Sequence, residues 1–211
     1  MRIGILGTGT LAAALGAGWA RAGHEVVIGG RSLAKATALA DALGRDVRAA
    51  PPRTAVAGKD AVLLAVSWDG AEEALRAAGA AEGALAGTPL IDPTNAVRHG
   101  IGELLVDAGD SMARRVGRAA PGAHVVKAFH LFPADQWASS PGDDASAVTV
   151  AMCGDDPEAL RVVGELVRAV GAVPATFGSL DRARQVEEAA GFVIGLVFAG
   201  TDPHAVIPRV P

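Results

Sequence analysis

Three groups of residues in this chain carry types and spacings that could do chemistry. The first is Gly7-Thr8-Gly9-Thr10-Leu11-Ala12, a G-x-G-x-x-A pattern placed directly after a short apolar run and at the opening of an alanine-rich stretch. Such a turn suits a pyrophosphate. Gly7 permits the tight bend, Gly9 lets backbone amides approach the phosphates, and Ala12 keeps the helix close to its strand. Thr8, Thr10 and Leu11 complete a loop whose free amides and helix dipole favour an anion. The second group, Gly29-Gly30-Arg31-Ser32 with Lys35, lies about twenty residues further on, where a site for NAD usually carries Asp or Glu against the ribose 2′-hydroxyl. No carboxylate stands there. Arg31 offers paired donors to a 2′-phosphate, Ser32 adds a hydroxyl, and Lys35 lies one turn along the same helix face. Helix N-termini do not favour cations, so these charges fit a phosphate better than a solvated surface. NADP(H) is therefore the expected cofactor.

The third group comprises Ser67-Trp68, Thr94-Asn95 and Phe129-His130, each pair following an apolar run. In an open doubly wound sheet, ligands sit beyond the C-terminal strand ends, so these residues are expected to line the nicotinamide end of the cleft. Asn95 could bond a carboxamide or a ribose hydroxyl, and Trp68 offers a flat wall or a cap for the following helix. His130 is either a catalytic group or a packing histidine. Lys127 is either a catalytic amine or half of a structural ion pair, and Cys153 reads as a small buried hydrophobe. Arg114, Arg115 and Arg118 could meet an anionic tail or simply form a solvated face.

These residues must be held by an α/β framework. Strands are expected at 2–6, 25–29, 47–49, 60–66, 90–92, 124–128, 147–153 and 173–176, alternating with alanine-rich helical stretches. That pattern predicts one NAD(P)-binding Rossmann fold over residues 1–211, a doubly wound, mainly parallel sheet of about eight strands covered on both faces, with a C-terminal helix. A helix is expected from Thr10 to the glycine stop at Gly23, and a second after the N-cap Ser32 to Gly44. Another is announced by Asp155-Asp156-Pro157-Glu158 and closed by Gly171. The last starts near Ser179. Its second half, 191–199, is apolar all round and must be buried, against the domain or a partner subunit, which makes a homodimer the expected assembly. Loops are expected at 119–123 and 138–144, and an irregular tail at 201–211.

Composition closes off several classes. The 211 residues contain no Tyr, which removes a Tyr-Lys proton relay, and one Cys, which removes internal disulfides and zinc-cysteine clusters. A net charge of −4 argues against nucleic acid as a partner. No segment reaches the ~20 apolar residues of a membrane span, and the N-terminus lacks the charged and apolar regions of a signal peptide. A cytoplasmic protein with no metal and no membrane partner is expected.

With these motifs in hand, the chain resembles the NADP-dependent oxidoreductases related to coenzyme F420:NADP oxidoreductase, a wider family that includes the cytosolic reductase domains of membrane metalloreductases. The resemblance runs over nearly the whole chain. It rests on the fingerprint, Gly30-Arg31-Ser32, Val66-Ser67-Trp68, Asp92-Pro93-Thr94-Asn95, Val125-Val126-Lys127-Ala128-Phe129-His130, Cys153-Gly154-Asp155-Asp156 and Gly178-Ser179-Leu180. The F420 enzyme carries an extra Gly in its fingerprint and ends it in Gly where this chain has Ala12.

The resemblance implies hydride transfer between NADP(H) and a flavin-like acceptor, F420 or a flavin, with His130 near the reacting rings. Transfer between two rings needs the reacting carbons held at roughly 3–3.5 Å and water excluded, rather than side-chain acid–base help. Two other functions stand beside it. One is reduction of a small carbonyl or imine metabolite, with His130, Lys127, His99 or His124 as proton donor. The other is NADPH binding or sensing without turnover.

Overall fold

The computed structural model describes residues 1–44, 46–98, 100–138 and 147–206. The chain alternates strand and helix from its first residues: β1 (Arg2–Leu6), α1 (Thr10–Arg21), β2 (Glu25–Gly29), α2 (Leu33–Leu43), β3 (Val47–Ala49), α3 (Pro52–Val56), β4 (Ala61–Leu64), α4 (Ala71–Ala77), β5 (Pro89–Asp92), α5 (Met112–Ala119) and β6 (His124–Lys127). There follow β7 (Thr149–Gly154), α6 (Pro157–Ala169), β8 (Val173–Gly178) and α7 (Ala183–Phe198). The strands form one eight-stranded sheet in the order β3-β2-β1-β4-β5-β6-β7-β8. This is the Rossmann-like α/β arrangement, with the chain reversing its direction of growth between β1 and β4.

Strands β1 to β6 are mutually parallel. β7 runs antiparallel to β6, and β8 parallel to β7. The last two strands therefore present their C-terminal ends at the opposite edge, and the ligand edge is built by β1 to β6 alone. The expected loop at 138–144 beyond Ala138, residues 207–211 of the expected tail, and His99 lie outside the described residues, while Pro203–Ala205 form a short 3-10 turn.

Period-2 alternation explains the two layers of core. Ile3, Ile5, Leu63, Ile91 and Val126 point to one face, where Leu15 and Trp19 of α1 and Val163, Leu166 and Val167 of α6 cover them. Leu6, Val62, Leu64, Leu90 and Val125 point to the other, under Leu75 of α4 and Met112 and Val116 of α5. The helix starts are capped as their sequences suggest. Ser32 accepts the amide of Lys35, Ser111 that of Arg114, and Asp156 that of Ala159. Among the described residues no helix is long and apolar enough to cross a membrane.

The apolar half of α7 is only half covered. Gly191 and Gly195 lie so close to the 101–102 backbone that a Cβ on either would come within 2.3 and 2.9 Å of a carbonyl oxygen. The opposite side leaves Phe192 52% and Val197 57% exposed. The chain itself thus buries the glycine face and not Phe192 or Val197, although the sequence reads this half-helix as buried against the domain or a partner subunit.

Candidate functional site

The loop between β1 and α1 is fixed by its glycines. Gly7 donates its amide to the carbonyl of Gly29 at 2.8 Å, which ties the loop to the end of β2. Its φ is +131°, and a Cβ there would lie 1.9 Å from the carbonyl oxygen of Ala65. No side chain fits. Gly9 differs: it has an ordinary φ of −85° as the N-cap of α1, and a Cβ would meet nothing within 4 Å. The space it leaves lies in front of the first turn of α1, which has no side-chain cap and no acidic residue. Unclaimed amides, a helix dipole and open space together suit a pyrophosphate.

A cavity of about 300 Å³ opens beside this loop. Gly7, Thr8 and Gly9 form its floor, Gly30, Arg31, Ser32 and Lys35 one wall, and Val66, Ser67, Gly70 and Ala74 the other. Ser32 accepts the Lys35 amide at 3.3 Å, which leaves its hydroxyl hydrogen free to donate. Thr10 and Leu11 sit on the first turn of α1 and do not line the cavity. Trp68 is half-buried against the core cluster that includes Ala71 and Leu75 of α4 and does not line this cavity.

Asn95 and His130 meet at a second place, beyond the ends of β5 and β6. The Asn95 side-chain amide donates to the carbonyl of His130 at 2.6 Å, so the two loops are tied across 35 residues of sequence. Phe129 takes a left-handed backbone, φ 60°, which is costly for a bulky residue and is held here by its surroundings. Its ring packs edge-on against Trp19 at 6.2 Å and Trp137 at 5.2 Å, and the turn it makes directs the following His130 inward. The His130 side chain is buried, and burial, aided by the charge of Lys127, pushes its pKa down to about 3. At neutral pH the imidazole is uncharged. Asn95 Oδ1, His130 Nδ1 and Trp137 Nε1 are buried and have no hydrogen-bond partner among the described residues.

Between the two loops lies a fully buried charge network. Lys127 at the end of β6 meets Asp92 of β5 at 3.1 Å and Glu187 of α7 at 2.9 Å, and also donates to the carbonyl of Thr94. Asp92 accepts the amide and hydroxyl of Thr94 at 2.9 and 2.6 Å. Glu187 accepts the amides of Met112 and Ala113 at 2.8 and 3.1 Å, capping α5. Two carboxylates thus share one ammonium and the positive end of a helix. Lys127 is a structural ion pair, and its hold on Thr94 fixes the neighbouring Asn95.

The remaining candidates fall elsewhere. Arg114 pairs with Asp181, Arg115 with Asp107 and Asp110, and Arg118 with Asp110, whose carboxyl is drawn down to about 2 chiefly by Arg118. Their charge is already matched by the protein. His124 begins β6 at the far edge of the sheet, 3.9 Å from Asp156. The Cys153 thiol is buried and pushed up to about 11, which makes it a poor nucleophile. Glu187 is the residue that sequence reading passed over. It belongs to the buried stripe Ala183, Val186, Glu187, Ala190 of α7, and a carboxylate inside such a stripe signals a buried partner.

The fold and this cavity are those of a Rossmann-like dinucleotide-binding domain. Residues 2–96 match the family described as NADP oxidoreductase, coenzyme F420-dependent. Over 186 residues, 88% of its length, the chain is 30% identical to metalloreductase STEAP3 of Rattus norvegicus, and it spans 36% of that protein. A protein assigned as an F420-dependent NADP-reductase of Arthrobacter sp. FB24 superposes with a TM-score of 0.79 at 29% identity, covering 94% of this chain and 95% of that one. A hypothetical protein, SMa0349 of Sinorhizobium meliloti, superposes with a TM-score of 0.76 at 26% identity, covering 87% of each chain. The first half of the chain is thus similar to this family of NADP oxidoreductases, and the chain resembles such enzymes over most of its length.

Proposed function

We propose that the protein transfers a hydride between NADP(H) and a flavin-like acceptor, with F420 as the first candidate. The observation that carries the reading is the arrangement of the ligand edge: a phosphate cradle with Arg31, Ser32 and Lys35 at one end, and at the other the neutral, buried His130 beside Asn95. When bound, the dinucleotide supplies the hydride. The protein's part is to bind and align. Gly7, Thr8 and Gly9 seat the pyrophosphate, Arg31, Ser32 and Lys35 hold the 2′-phosphate, and Ser67 flanks the ribose. The unsatisfied Asn95 Oδ1 accepts from a carboxamide, and His130 packs near the acceptor as an uncharged donor or acceptor. A neutral imidazole suits transfer between rings, where no strong acid is required.

The resemblance to the Arthrobacter reductase supports F420 as acceptor. We read residues 1–211 as one dinucleotide-binding domain, which the single continuous sheet supports, and we place its action in the reducing cytoplasm. The exposed Phe192 and Val197 of α7 favour a homodimer.

The test is a panel of acceptors offered with NADPH and with NADH. Bleaching of F420 or flavin absorbance by NADPH, with NADH far less effective, is the expected result. Oxidation of NADPH only with carbonyl or imine substrates would replace the acceptor. Tight NADPH binding with no oxidation by any acceptor would make the protein a sensor.

A further inference from the structure

In this structure Arg31, the residue best placed to hold a 2′-phosphate, is engaged by a carboxylate. Its guanidinium lies 3.6 Å from Glu73 of α4. Arg31 stands on the wall that follows β2, and Gly70, Ala74 and Ala77 line the wall formed along α4. The ion pair therefore ties the Arg31 wall to α4 beside the cavity. A second carboxylate is close by. Asp69 is held below the usual carboxylate range chiefly by a hydrogen bond from Ser67 and in smaller part by the charge of Arg31. An arriving phosphate dianion thus meets a cation that already has anions beside it.

We infer that Glu73 is a specificity-determining residue of the dinucleotide site, a built-in competitor that occupies Arg31 until a 2′-phosphate displaces it. The inference rests on the reading of Arg31 as the 2′-phosphate ligand. Its logic is electrostatic exchange. NADPH replaces the Arg31–Glu73 pair with an Arg31–phosphate pair, so the net gain is the difference between the two. NADH brings no anion to this place and leaves the pair intact. Glu73 lowers the affinity for NADPH selectively and narrows the gap between the two cofactors. Both side chains are more than half exposed, so the pair is easily opened and its effect modest. The cost of approach is set by charge alone, because the Glu73 side chain can swing into solvent once the phosphate arrives.

The experiment is a titration of NADPH and NADH into full-length wild type, Glu73→Gln, Arg31→Ala and the double variant, followed by calorimetry. Glu73→Gln is expected to tighten NADPH about two- to fivefold, the range of a surface ion pair, and to leave NADH unchanged. The gain is expected to disappear in the Arg31→Ala background and to shrink at high salt. An unchanged NADPH affinity in Glu73→Gln, an equal change for both cofactors, or a gain that persists without Arg31 overturns the role of Glu73. If Arg31→Ala itself fails to weaken NADPH selectively, the reading of the 2′-phosphate site falls instead, and the two failures are told apart by that single variant.

Discussion

Lys127 of β6 and Glu187 of α7 meet at 2.9 Å with neither side chain exposed to solvent. The pair joins the ligand edge of the sheet to the last helix and, through the amides of Met112 and Ala113, to α5. Because Lys127 also holds Asp92 and the carbonyl of Thr94, one ammonium organises three elements.

The first prediction follows from that burial. Glu187→Ala leaves Lys127 with one carboxylate and strips the cap from α5. Removing one partner of a buried ion pair costs about 3–5 kcal/mol, far more than an exposed pair such as Arg48–Glu25. Urea unfolding should show a loss of that size for Glu187→Ala, and less than about 1 kcal/mol for Glu25→Ala. Similar losses for the two variants would mean the network is not a structural clamp.

The second prediction concerns the phosphate wall. Arg31→Ala should weaken NADPH binding by about 1.5–3 kcal/mol, the range for hydrogen bonds to charged groups, and hardly affect NADH. Titration of both cofactors checks it, and an equal loss for both would remove Arg31 from the 2′-phosphate site.

The positions of these residues were unequally legible in the sequence. The strands stood out because short β-rich runs alternate with capped helices, so β1, β2 and β3 fall at the expected bounds. The turn at residues 7–9 was legible too: its backbone is written in the glycines of one local segment. The reversal of β7 was not, since period-2 alternation is the same in either direction. Helix α3, five residues long, is too short to show a period. The link between Asn95 and His130 depends on β5 and β6 becoming neighbours. The left-handed Phe129 runs against local preference, and only its packing between Trp19 and Trp137 explains it.

The third prediction separates the two fingerprint glycines. Gly9→Ala adds a methyl into open space at an ordinary φ, so the melting temperature without cofactor should match wild type. The same methyl sits where the pyrophosphate must approach, so the stabilisation by NADPH should vanish, about 2.7 kcal/mol at a hundredfold excess over the dissociation constant. Gly7→Ala forces a Cβ within 1.9 Å of the Ala65 carbonyl at φ +131° and should destabilise the protein with or without cofactor. Thermal melts of both variants, with and without NADPH, decide the matter, and a normal NADPH shift in Gly9→Ala would move the pyrophosphate elsewhere.

The last prediction is the acid limb of stability. Burial lowers the His130 pKa from its ordinary 6.5 to about 3, so between those values the unfolded chain binds a proton that the native protein does not. Stability therefore falls as pH drops from 6.5 toward 3, by at most about 1.4 kcal/mol per pH unit from this group, and is unaffected by it above 6.5. His24, also lowered by burial, acts in the same direction, so the effect must be read as a difference between proteins. Denaturant titrations of wild type and His130→Gln from pH 7 to pH 5 should show wild type losing stability faster than the variant. This window lies above the ordinary carboxylate range, so the comparison isolates histidine protonation. The neutral imidazole also requires that hydride transfer show no ionisation near pH 6.5. Parallel stability curves for the two proteins would mean that His130 takes up a proton in the native state, and with it the acid needed to reduce a carbonyl.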